Sequence, residues 1–240
     1  MSRVETAQLF LAMALTVIAG WVDAVGFLRL GGLFVSFMSG NTTQMSAAFV
    51  QGHSLEAWAA AGIIALFVMG VFAGRLVAEA SGIWRQAAVL ILTASLLSVA
   101  VLLTLVAGQT ATVTATAAMV LAMGVQNATM THIGGAKASL TYVTGTLVKI
   151  GEKLADSVAG TGQLRAVLPY LAMWIGLALG AVGGAASYGR VATVALLAPA
   201  AAAALLALVL GGLVRHAIQT TDNSGDDNAE GRASGAGRSS

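Results

Sequence analysis

The chain reads as an all-α integral membrane protein of about six transmembrane helices. They fall in two inverted repeats, each carrying a broken or re-entrant segment; eight short spans are the competing arrangement. Three observations lead there. Of 240 residues, 58% are hydrophobic and only 9% charged, against roughly 25% charged in a soluble domain, and the mean hydropathy is +0.86. Apolar stretches of about 20 residues, the length that spans a bilayer, recur along most of the chain. Finally, two polar clusters echo one another at an offset of about 104 residues. Asp23 falls on Asn127, Ala24 on Ala128, Phe37 on Tyr142, Ser39 on Thr144 and Gly40 on Gly145, with one residue of slippage.

The apolar segments lie at about 7–28, 33–50, 57–80, 86–107, 110–131, 138–151, 166–187 and 191–214. The first begins after Arg3 and could pass for a signal peptide, but its length, Asp23 and the segments that follow make it a membrane helix. Segments 33–50 and 138–151 are shorter and more polar, and they hold the echo. Gly/polar interruption of paired segments points to discontinuous helices of the kind found in transporters. A second echo sets Gly70-Val71-Phe72-Ala73-Gly74 against Gly180-Ala181-Val182-Gly183-Gly184; small residues four apart predict close helix packing rather than a ligand site. Repeat 1 covers about 7–107 and repeat 2 about 110–214, within an integral domain over 1–218. Residues 219–240, rich in Asp, Asn, Gly and Ser, predict a disordered polar tail.

Charge decides between the topologies. With eight crossings the cations divide evenly. With the two odd segments entering and leaving on one side, Arg3, Arg75, Arg85, Lys137, Lys149, Lys153, Arg165 and Arg215 share a face, and only Arg29 and Arg190 oppose them. The positive-inside rule favours the second arrangement, with both termini cytoplasmic in a bacterial inner membrane. Residues 31–39 can run extended to the midplane, and a helix over 41–51 would return about 16 Å, half of a roughly 30 Å core. Three crossings per half invert the second half.

Asp23 is the chemically conspicuous residue. A membrane carboxylate faces the bundle interior and marks an ion or proton site; the bland alternative is an anchor for the broken backbone, or a partner for Arg29. Asn127, its match, cannot titrate. Ser39-Gly40-Asn41-Thr42 and Thr144-Gly145-Thr146 read as helix starts, with Ser39 and Thr144 as N-caps. Helix N-termini at mid-bilayer favour an anion or carboxylate, or their side chains satisfy the broken backbone. With Gln126 these residues form the candidate solute or ion site. Lys149 and Lys153, beside Glu152 and Asp156, predict ion pairs at a cytoplasmic helix end, as do Arg75 and Glu79. His132 reads as a packing residue before a pH gate. Trp21, Trp58, Trp84 and Trp174 read as interface anchors.

The chain has no cysteine and three scattered histidines, so thiolate chemistry is excluded and no metal set is expected. No basic patch with aromatics points to nucleic acid. No cofactor motif, nucleotide fingerprint or nucleophile elbow is present, so an enzyme is not expected. The expected surroundings are the lipid bilayer and a small solute or ion; the oligomeric state is open.

Gly20-Trp21-Val22-Asp23-Ala24-Val25-Gly26-Phe27, Phe34 to Asn41, Gly124 to Ala128 and Thr141 to Leu147 resemble the YoaK-like family of small bacterial multi-pass membrane proteins, a domain of unknown function. The likeness covers about 7–214. It implies an inner-membrane protein of roughly six crossings and no established substrate. Ser39 stands where members often carry threonine in a Thr-Gly-Asn motif, and the hydroxyl is kept. The expected function is a secondary transporter or permease for a small solute, with an anion or carboxylate as a candidate class and Asp23 as coupling residue; a channel or a non-transporting scaffold or signalling protein is the alternative.

Overall fold

The computed structural model describes residues 3–129 and 143–236. Eight helices follow in order: α1 (Arg3–Arg29), α2 (Met38–Val50), α3 (Ser54–Ala80), α4 (Arg85–Ala107), α5 (Thr112–Asn127), α6 (Val143–Val158), α7 (Leu168–Val191) and α8 (Leu197–Ala236). Four stretches are long and apolar enough to cross a membrane: Thr6–Arg29, Ser54–Ala80, Gly82–Ala107 and Leu164–Gln219, the last holding both α7 and the first part of α8. The fold is all-α and of membrane type, as the composition predicts.

Large apolar side chains cover the outside: Phe10, Phe49, Phe72, Leu105, Val113 and Leu208 are all more than half exposed. A soluble protein would bury such residues, whereas lipid-facing helices display them. The interior is built from small and β-branched residues, including Ala12, Val22, Ala115, Val120, Ala203 and Ala207.

Two close helix crossings organise that interior. In the first, α1 lies on α7. A Cβ on Gly20 would strike the Leu177 carbonyl and Ala181, one on Gly180 the Val17 backbone, and one on Gly184 the Trp21 backbone. In the second, α3 lies on α5. There a Cβ on Gly124 would strike the Phe67 carbonyl, one on Gly70 the Leu121 carbonyl, and one on Gly74 the Val125 backbone. The contacts correspond one for one. Val17, Gly20 and Trp21 become Leu121, Gly124 and Val125 by a constant step of 104 residues; Phe67, Gly70 and Gly74 become Leu177, Gly180 and Gly184 by a step of 110. In each crossing the contacts rise together along both helices, so the pairs are parallel. Only glycine lets two backbones come this near. The glycines are packing faces, as their spacing predicts.

A third pairing, α4 on α8, joins the halves. Its polarity follows from the ends of α8. The Arg29 guanidinium at the end of α1 donates to the Thr193 hydroxyl just before α8 begins. Arg215, towards the membrane end of α8, lies 5.9 Å over the ring of Trp84, just before α4. The end of α1 and the end of α3 are therefore at opposite ends of α8, and α3 runs back along the direction of α1.

The helix starts differ from the sequence reading. α2 begins at Met38, with Phe37 at its N-cap and no side-chain cap bond, so Ser39 lies inside the first turn and is exposed rather than capping. The Phe37 carbonyl already receives the Gly40 and Asn41 N–H groups, which sets the helix start earlier. α6 is described from Val143, so Thr144 lies within the helix, and it is likewise exposed. α8 is helical as described to Ala236. His132, Lys137, Ser139, Thr141 and Tyr142 lie outside the described residues.

Candidate functional site

Between α1 and α2 the chain leaves helical conformation inside an apolar protein, and its backbone groups must be satisfied without water. Gly31 and Gly32 turn it, with φ of 65° and 119°, values that favour glycine. Side chains then hold the segment that follows. Asp23 Oδ1 accepts the N–H groups of Val35 at 2.8 Å and Ser36 at 2.9 Å. Asn41 pairs with both sides of Phe34: its Oδ1 accepts the N–H at 2.9 Å and its Nδ2 donates to the carbonyl at 2.7 Å. Gln44 Nε2 donates to the Gly32 carbonyl at 2.8 Å. Val35 seats on Gly26, where a Cβ would collide with it. Phe34 packs between Phe27 and Phe37, with ring centroids 4.9 Å and 5.3 Å away.

The sequence offered two readings of Asp23, and this geometry favours the anchor: the carboxylate is engaged with main-chain donors and makes no ion pair with Arg29. Asn41 is completely buried, and its amide is spent on Phe34. Gly40 packs beneath the Phe34 and Phe37 rings. Thr42 returns its hydroxyl to the Met38 carbonyl, 2.9 Å away. The structure thus gathers Asp23, Gly40 and Asn41 around the break and leaves Ser39 and Thr42 exposed on α2.

In the second half, Gln126 is completely buried and its Nε2 donates to the Leu15 carbonyl of α1 at 2.9 Å, tying α5 to α1. Asn127 Nδ2 donates to the Met123 carbonyl at 2.8 Å. Gly145 is buried and Thr146 half-buried on α6. Among the described residues α6 packs on α7 and on the turn before it, and no contact joins α2 to α6. The two clusters are therefore not brought into one pocket by the described residues.

Gln44 was missed as a holder of the break, and the Arg29–Thr193 pair was missed altogether. Arg29 registered only as a topology charge and as the alternative partner of Asp23, because nothing in the sequence links it to a threonine 164 positions on. Trp21 is not an interface anchor: its indole N–H donates to the Ala195 carbonyl at 2.9 Å and its ring covers Gly183. Trp21→Phe is expected to lower stability by about 1 kcal/mol, the net worth of one hydrogen bond, read by thermal unfolding in detergent. The surface pairs form as predicted: Arg75 with Glu79, Lys149 with Glu152 at 2.7 Å and Lys153 with Asp156 at 2.9 Å. The Glu152 carboxylate holds Lys149 above the usual lysine range, as Asp156 does for Lys153.

Apolar crossing helices, lipid-facing side chains and a side-chain-supported break define a multi-pass helical membrane protein. The chain belongs to the DUF1275 family, described as a protein of unknown function, whose model matches residues 11–209. A relative from Rhizobium meliloti (strain 1021), named UPF0700 transmembrane protein RA0705, is 34% identical over 204 residues, covering 85% of this chain and 86% of its own. No solved structure matches.

Proposed function

We propose that this protein is a bacterial inner-membrane permease for a small solute, built as two inverted repeats. The observation that carries the reading is a membrane carboxylate, Asp23, holding a non-helical break beside one of two residue-for-residue equivalent helix crossings. Equivalent halves meeting at broken helices are the plan on which alternating-access transporters are built. α2 has 13 residues, about 20 Å of helix, too short for a roughly 30 Å core. Since α3 returns antiparallel to α1, α2 enters and leaves on one side. Three crossings per half then invert the second half, and the distribution of lysines and arginines supports cytoplasmic termini.

Asp23 supplies a route to coupling. Ionised, it offers a charged acceptor to the Val35 and Ser36 N–H groups; protonated, it offers a weaker one. Proton binding thus changes how firmly the break is held. Residues 39–42 of α2, Gln126 and Asn127 of α5 and residues 144–146 of α6 would line or position the solute path. A small carboxylate suits the exposed hydroxyls at the two helix starts.

Proteoliposomes are expected to take up labelled succinate faster under an inward proton gradient. Asp23→Asn, which keeps an acceptor oxygen but cannot be protonated, is expected to abolish the gradient dependence. Non-saturating flux of succinate and glycerol alike would make the protein a channel; no flux from folded protein would make it a scaffold. Topology has its own test, since the chain is free of cysteine. Single cysteines at positions 31 and 53 are expected to label from one face and those at 3 and 85 from the other. Labelling of 31 and 53 from opposite faces would require α2 to cross.

A further inference from the structure

Arg29 carries a positive charge that no described carboxylate balances. The four ion pairs among the described residues join His53 to Glu56, Arg75 to Glu79, Lys149 to Glu152 and Lys153 to Asp156. Asp23, the carboxylate nearest to Arg29 along α1, is taken by the Val35 and Ser36 N–H groups. Residues 130–142 contain no Asp or Glu.

The hydrogen bonding is also incomplete. Arg29 Nη1 donates to Thr193 Oγ1, so that hydroxyl is an acceptor and keeps its own proton to give. Thr193 is 1% exposed, and no acceptor for that proton lies among the described residues. Arg29 Nε is buried and has no partner among the described residues. An unpaired buried donor costs about 1–3 kcal/mol, more when charged. The negative end of the α1 dipole favours a cation here, but a dipole end supplies no acceptor to these two protons. The pair is firmly placed, because the Trp21 indole fixes the 3-10 turn Ala192–Leu196 to α1 through the Ala195 carbonyl. Arg190, at the end of α7, adds positive charge three residues before Thr193, with only a long 3.4 Å bond to the Ala186 carbonyl.

We infer that Arg29 and Thr193 form a binding site for a small oxyanion, the carboxylate or phosphate group of a soluble solute or of a lipid headgroup. An oxyanion supplies the charge and both acceptors at once, and a guanidinium suits it better than an ammonium because its N–H groups form a planar fork. The site stands on the Arg29 geometry. It names the substrate class of the permease through that earlier reading, so binding and uptake are measured separately.

The test uses the full-length protein in a neutral detergent. Thermal unfolding and calorimetry are followed with inorganic phosphate, succinate and chloride at matched ionic strength. A parallel arm uses phosphatidylcholine nanodiscs with and without phosphatidylglycerol. Phosphate or succinate is expected to stabilise beyond chloride. Arg29→Gln is expected to weaken binding about tenfold to a hundredfold, the worth of charge-assisted hydrogen bonds, Thr193→Val severalfold, and Arg29→Lys to keep part of the affinity. Stabilisation by phosphatidylglycerol but not by free anions assigns the site to a headgroup; stabilisation by free anions in phosphatidylcholine assigns it to a solute. Should Arg29→Gln fail to fold, Arg29→Lys and Thr193→Val carry the comparison. Unchanged affinity in folded variants, or no preference for either oxyanion or for phosphatidylglycerol over chloride, overturns the site. Arg29-dependent binding without uptake leaves the site standing and removes the permease; uptake without such binding does the reverse.

Discussion

Gly180→Ala is expected to cost about 3 kcal/mol or more, or to prevent assembly of the two halves. The added Cβ would meet main-chain atoms of Val17, including its carbonyl oxygen. Overpacking that side chains can absorb costs about 1–3 kcal/mol. Here the obstacle is backbone, so α1 and α7 must move apart along their whole contact. Gly70→Ala is expected to cost a similar amount, because its Cβ would meet the equivalent Leu121 carbonyl and lie 3.1 Å from Gly124 Cα. Gly62 and Gly189 sit in helices where an added Cβ would have nothing within 4 Å. Alanine there is expected to be neutral or to stabilise by up to about 1 kcal/mol through helix propensity. Unfolding midpoints in detergent decide the matter: equal losses at 70 and 180 with none at 62 and 189 support equivalent crossings. Tolerance at either buried position would mean that the helices do not approach as described.

The second large effect belongs to Asp23→Leu. It leaves the Val35 and Ser36 N–H groups without their acceptor in an apolar setting. At about 1–3 kcal/mol for each orphaned group, the expected loss is about 2–6 kcal/mol. Asp23→Asn, which retains one carbonyl oxygen, is expected to lose well under half of that. Hydrogen exchange should localise the change, with faster exchange at 33–37 than across α4. Equal stability of the leucine variant would mean that the break is held by other groups.

Much of this was legible in the sequence, for reasons particular residues make plain. Helix existence follows from apolar length. An echo could be seen because Asp23 and Asn127, and the Gly70–Gly74 and Gly180–Gly184 runs, recur at matching places, and a side chain at Gly70 or Gly180 would strike a neighbouring backbone; the match of Gly20 to Gly124 came with the fold. Asp23 stood out because a carboxylate in lipid has to be compensated. The main-chain bonds of Asp23 were not legible: anchor and ion site need the same residue at the same place, and its bonds to the Val35 and Ser36 N–H groups came with the fold. The helix start at Met38, which puts Ser39 inside the first turn rather than at the cap, was missed because it rests on the Phe37 carbonyl receiving the Gly40 and Asn41 N–H groups, which has no signature in composition.

A helical membrane protein and the glycine positions where two backbones must nearly touch were written in the order of the residues, because apolar length and glycine spacing are local properties governed by lipid and sterics. Which helices pair, that α3 runs back along α1, that Asp23 serves main-chain donors and that Arg29 meets Thr193 became visible with the folded chain. Those facts join residues far apart in the chain, and such pairings depend on how the helices are assembled rather than on any local pattern.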